Sequence, residues 1–104
     1  MAAPYNPPVK NEDFQIQISL EDFSNPGRIK TTPTIAAGDF KVSKDGGALA
    51  NLTTLPSESP AGSGLVTIAL SSTEMNADVV TVRWIDQTTP PEWSDDWFSI
   101  ATSQ

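Results

Sequence analysis

The residues best equipped for chemistry are acids. Glu92, Asp95 and Asp96 lie close together, and Asp78 and Asp86 flank a strand-like run. Ca²⁺ takes several carboxylate and carbonyl oxygens, usually from a loop with defined spacing, and these acids match no such loop pattern. A paired-carboxylate glycosidase needs one acid in an apolar pocket beside a groove, for which a chain of 104 residues has little room. The expected role of these side chains is that of solvated loop carboxylates. The chain contains no histidine and no cysteine. That removes the usual general base at neutral pH, the commonest metal ligand, the partner of a nucleophilic serine and any thiolate. Hydroxyls are plentiful, but no Gly-x-Ser-x-Gly elbow is present. Gly62 and Gly64 precede a strand and open no helix, so they form no phosphate loop. No catalytic, cofactor-binding or metal-ligating residue is assigned, and the chain is read as non-enzymatic.

The other candidates are aromatic, and their chemistry is contact. Trp84, Trp93 and Trp97 fall in the last quarter of the chain. Trp84 shares parity with Val80 and Val82 and is expected in the core. Trp97 is out of phase with Phe98 and Ile100, so it is expected to point away from the core, covering an edge or meeting a partner. Trp93 follows Pro90-Pro91 in a loop and is taken as the foremost interface candidate. At the other end, Pro4, Pro7 and Pro8 favour an extended path with few backbone donors. Residues 1–12 are expected to form either a floppy terminus or an extended arm reaching a neighbour, with Tyr5 as the anchor of the arm. The candidate partner-binding set is therefore Pro4, Tyr5, Pro7, Pro8, Trp93 and Trp97.

Strands must position these residues. Phe14, Ile16, Ile18 and Leu20 alternate with Gln15, Gln17 and Ser19, the pattern of a half-buried strand. Asn25-Pro26-Gly27 marks a turn, and Pro33 argues for an edge or irregular path over Arg28 to Thr34. In Phe40 to Leu55, Phe40 and Val42 alternate with Lys41 and Ser43, Asp45-Gly46-Gly47 supplies turn chemistry, and Leu49 and Leu52 resume the apolar pattern. Asp-Gly accepts the positive φ angles of a tight hairpin, which predicts two antiparallel strands here. Residues 55–64 read as an exposed loop. Val66, Ile68 and Leu70 form another alternating strand, followed by a capping box from Ser71 to Glu74 with space for about one helical turn. Val80 to Trp84 and Phe98 to Ala101 supply the last strands, broken by a Thr89-Pro90-Pro91 run in which a cis bond fits. About seven short strands with at most one helical turn predict an all-β, antiparallel β-sandwich spanning 13–104 as one domain.

The formal net charge is -7. An acidic surface repels phosphate backbones and anionic lipid, which argues against nucleic acid and membrane as partners. The first residues, MAAPYNPPVKNEDF, lack a basic region followed by an apolar one, so a signal peptide is not expected. No apolar run approaches the ~20 residues of a membrane span. The expected product is a soluble protein made in a cytoplasm.

Three stretches together resemble a module of tailed-bacteriophage structural proteins. They are Gly38-Asp39-Phe40-Lys41-Val42-Ser43-Lys44-Asp45-Gly46-Gly47-Ala48, Gly64-Leu65-Val66-Thr67-Ile68-Ala69-Leu70 and Ser72-Thr73-Glu74-Met75-Asn76-Ala77-Asp78, closing on Pro91-Glu92-Trp93 before the final strand. The resemblance runs from about Phe14 onward. It implies an immunoglobulin-like β-sandwich in a virion, found at the start of baseplate and fibre proteins or as a free-standing accessory protein. The chain stops at Gln104 without a coiled coil or receptor-binding tip, which favours the free-standing form. The resemblance thus implies a head-associated decoration or cement protein, homo-oligomeric or lattice-bound, whose partner is the major capsid protein. The alternative is a tail, baseplate or fibre attachment module that binds another virion protein or a host glycan.

Overall fold

A computed structural model describes residues 7–103, which form two antiparallel sheets packed as a β-sandwich. The strands are β1 (Phe14–Ser19), β2 (Phe40–Lys44), β3 (Ala50–Asn51), β4 (Ser57–Glu58), β5 (Leu65–Leu70), β6 (Val79–Trp84) and β7 (Asp96–Ala101). One sheet has the order β1-β5-β4 and the other β3-β2-β6-β7. Alternation sets which side chains face inward. In β5 and β6 it sends Val66, Ile68, Leu70, Val80, Val82 and Trp84 into the core, with Phe40 and Val42 joining them from β2. In β1, Phe14, Ile16 and Ile18 are only half-buried, because β1 is an edge strand paired on one side alone.

The central hairpin turns as expected at its tip. Asp45 and Gly46 take positive φ angles of 51° and 77°, and the Gly47 N–H closes the turn on the Lys44 carbonyl at 2.9 Å. Its second strand is shorter than the sequence suggests. Only Ala50 and Asn51 pair, opposite Val42 and Lys41. Leu49 and Leu52 are three residues apart, which puts them on opposite faces of an extended chain. Leu52 is buried, with its N–H donated to the Phe40 carbonyl, whereas Leu49 is exposed.

After β5 the expected capping box is present in full. The Glu74 N–H donates to Ser71 Oγ at 3.2 Å and the Ser71 N–H donates to Glu74 Oε1 at 2.9 Å. The single turn between them closes through the Met75 N–H and the Ser71 carbonyl. It drops Met75 into the core, fully buried. The Ser59–Pro60 and Thr89–Pro90 peptide bonds are cis.

The described end of the expected arm lies against the domain. Pro8 to Glu12 are hydrogen-bonded, mostly to the rest of the domain. The Ser103 N–H donates to the Pro8 carbonyl, the Lys10 N–H to the Ser103 carbonyl and the Asn11 N–H to the Met75 carbonyl. Val9 forms a parallel bridge with Ser103, and Lys10 Nζ reaches Asp78 at 3.2 Å. The chain after β7 offers the backbone groups that Pro8 to Lys10 meet, ahead of the first strand at Phe14.

Candidate functional site

The acids do a structural job. Glu58 accepts backbone N–H groups from Thr32, Gly62 and Gly64 at 2.8–2.9 Å, joining two loops that lie far apart in sequence. The Gly62 and Thr32 amides hold its carboxyl below the usual range, with the Gly64 amide adding to them against a small opposing effect of burial. Asp39 is buried and bridges Ala36 to Gln87. Asp45 receives the N–H groups of Asp78 and Val79, so the tip of the central hairpin is tied to the start of β6. Glu74, besides its capping role, accepts the Thr53 N–H at 2.9 Å.

Asp86 organises the loop after β6. One oxygen takes the backbone and side-chain donors of Thr88 and the other takes the Glu92 N–H. Burial pushes its pKa up, but the hydrogen bonds from Thr88, Glu92 and Trp93 outweigh that and hold it below the usual carboxylate range. The acids that looked most like a site, Glu92, Asp95 and Asp96, share no task. Glu92 accepts the Thr34 N–H, Asp96 accepts its neighbour's N–H from Trp97, and Asp95 lines open grooves at the domain end. Among the described residues no three acids gather at metal-binding separation.

The same loop decides the fate of Trp93. It is fully buried, with 0% exposure, so it offers no surface to a partner and the expectation that it leads an interface is overturned. The clamp at Asp86 folds Pro91 to Trp93 back across the end of the sandwich, where Trp93 bridges Asp22 and packs against Phe40 at 6.4 Å between ring centroids. Phe40 in turn stacks on Trp84 at 5.6 Å, and Trp84 meets Phe98 at 5.8 Å, so four aromatic rings run through the core. The Trp93 Nε1–H is buried without an acceptor among the described residues. A groove of about 440 Å³ lies over this loop between Phe23, Thr88 and Pro91, and its buried carboxylate, Asp86, is already satisfied.

Trp97 points outward, as its phase requires, and is 61% exposed. Register places it directly opposite Arg83 on β6, which lies opposite Lys41 on β2, which lies opposite Asn51 on β3. The row Trp97–Arg83–Lys41–Asn51 therefore crosses the whole outer face of the four-stranded sheet, with about 4.8 Å per strand. Two rows follow along the strands: Ser43, Thr81 and Ser99, then Val79 and Ala101. Among the described residues neither the Lys41 ammonium nor the Arg83 guanidinium makes a hydrogen bond or ion pair. The lone ion pair there is Lys10 with Asp78. The outer face of the other sheet carries Gln15, Gln17 and Ser19 opposite Ala69, Thr67 and Leu65, with no charge on it. Sequence reasoning found Trp97 by phase but missed Lys41 and Arg83, because their adjacency depends on strand order.

Of the remaining candidates, Pro7 is exposed, and Pro8 is half-buried with its carbonyl committed to the Ser103 N–H and hydroxyl. Pro4 and Tyr5 lie outside the described residues. No family model matches the chain, and neither a curated protein nor a solved structure is significantly similar to it.

Proposed function

We propose that this chain is a non-enzymatic structural protein of a tailed-phage virion, a small head-associated decoration or cement protein that binds the capsid lattice. The resemblance of its central hairpin, β5 and closing Pro-Glu-Trp stretch to phage virion modules supplies the setting. The observation that carries the docking role is the division of labour among polar side chains. The carboxylates of Asp39, Asp45, Glu58, Glu74 and Asp86 are spent on backbone amides that tie the loops together, while one sheet face carries the exposed Trp97 and Arg83 beside a half-exposed Lys41. A stiff domain with a contact face suits repeated docking, where many modest contacts add through avidity. Attachment to a tail or baseplate is the second reading, and the exposure of Trp97 favours it equally. Co-sedimentation separates them. The purified domain is expected to pellet with tail-free heads and to stay in solution with head-free tails. Pelleting with tails alone would replace the first reading by the second, and pelleting with neither would end both.

A further inference from the structure

We propose that the outer face of the four-stranded sheet is a docking surface for an acidic, partly apolar segment of another protein. The proposal rests on the reading of the chain as a docking domain, but not on the virion setting. Trp97 is the most exposed large apolar side chain among the described residues, and it sits beside two cations that have no partner there. Tryptophan and arginine are the residue types that dominate interface energetics, and a charge left unpaired on the free surface is available to a complementary one.

Strand order makes the platform rigid. Lys41 and Arg83 stand on β2 and β6, both paired on two sides, so this part of the face offers side chains and no free backbone edge. The partner is therefore recognised by side-chain chemistry and not by strand addition. Polarity changes along the face. The cation–tryptophan row gives way to the hydroxyls of Thr81 and Ser99, while Ser43 on the same row is buried with its hydroxyl donated to the Gly47 carbonyl, and then to Val79, which is 42% exposed, with Ala101. Arg83 to Val79 spans about 14 Å along β6, at about 3.4 Å per residue. An extended segment laid along β6 would place carboxylates over Arg83 and Lys41, a small polar residue over Thr81 and an aliphatic residue over Val79.

Other occupants use the face less well. In a symmetric pair of this chain the face would meet itself and set Lys41 and Arg83 against their own copies, like charge against like. An oligonucleotide would find two cations on the face of an acidic protein, too few to replace many phosphate counterions. An acidic saccharide has no use for the Val79–Ala101 end.

The test is a titration of the isotope-labelled protein, read by amide and indole resonances, with a short extended peptide bearing two glutamates at one end and a leucine at the other. Shifts are expected at Lys41, Thr81, Arg83, Trp97, Ser99 and Val79. Affinity should fall about tenfold in R83E and again in K41E/R83E, and it should weaken as salt is raised. W97A should weaken binding at every salt concentration, and unchanged unfolding midpoints would confirm that the variants fold. The proposal is overturned by shifts spread evenly over the surface, by equal binding of the glutamine version of the peptide, or by tighter binding of polygalacturonate or a single-stranded oligonucleotide. Self-association that R83E abolishes would also overturn it, in favour of a second copy. Binding of the peptide at this face together with absence of the protein from virions would uphold the surface and remove only the virion reading.

Discussion

Trp93 and Trp97 stand four residues apart and have opposite fates. Trp93, in a proline-rich loop, is fully buried, whereas Trp97, in a regular strand, is 61% exposed. Composition suggests the reverse, since loops lie outside and strands cover cores. The difference lies in what fixes each residue. Trp97 is set by strand parity, which gives alternate residues of β7 to the core and the solvent. Trp93 is set by a buried carboxylate six residues before Glu92, which draws the loop inward until its tryptophan caps Phe40.

The largest expected effect lies on the buried side of that comparison. Trp93→Ala should cost about 3–5 kcal/mol, read as a lowered denaturant midpoint, because it removes the largest fully buried side chain and leaves a cavity beside Phe40. A loss below about 1 kcal/mol would show that the loop does not cap the core. Next comes the clamp itself. Asp86→Ala leaves the half-buried Glu92 N–H and the more exposed Thr88 N–H without their acceptor and should cost about 1 kcal/mol. The emission of Trp93 should shift to the red as the loop loosens, while β7 keeps its hydrogen-exchange protection.

Acid should act on the same loops. Glu58 and Asp86 both have depressed pKa values in the folded state. Such groups contribute stability that is present above their unfolded pKa values, about 4, and is lost as pH falls through the folded values. Amides at Thr32, Gly62, Gly64 and Glu92 should therefore lose exchange protection below about pH 4 before those of β5 and β6 do. In Glu58→Gln the acid-induced loss at Thr32 and Gly64 should disappear. A pH-independent loop would contradict the clamp. The smallest effect belongs to the exposed side: Trp97→Ala should change stability by no more than about 0.5 kcal/mol in a thermal melt.

Much of the sandwich was legible because alternation is a local signal. β1, β5 and β6 follow directly from Phe14 to Leu20, Val66 to Leu70 and Val80 to Trp84, and the Ser71–Glu74 box from its spacing. What escaped the sequence is long-range. Thr32, which Glu58 holds, and Gln87, which Asp39 holds, lie tens of residues from those acids, so their carboxylates read as solvated loop acids. Lys41 and Arg83 become neighbours only once β2 pairs with β6. Leu49 misled for a simpler reason, since a spacing of three cannot hold one face of a strand. The docking of Pro8 to Asn11 likewise depends on what residues 75 and 103 leave unpaired.

The most direct measurement is a copy count in purified particles, with this chain quantified against the major capsid protein after denaturation. A ratio of one-to-one, or a simple fraction of it, is the result expected of a domain that docks on a head lattice. Absence from the particles would contradict the account at its centre.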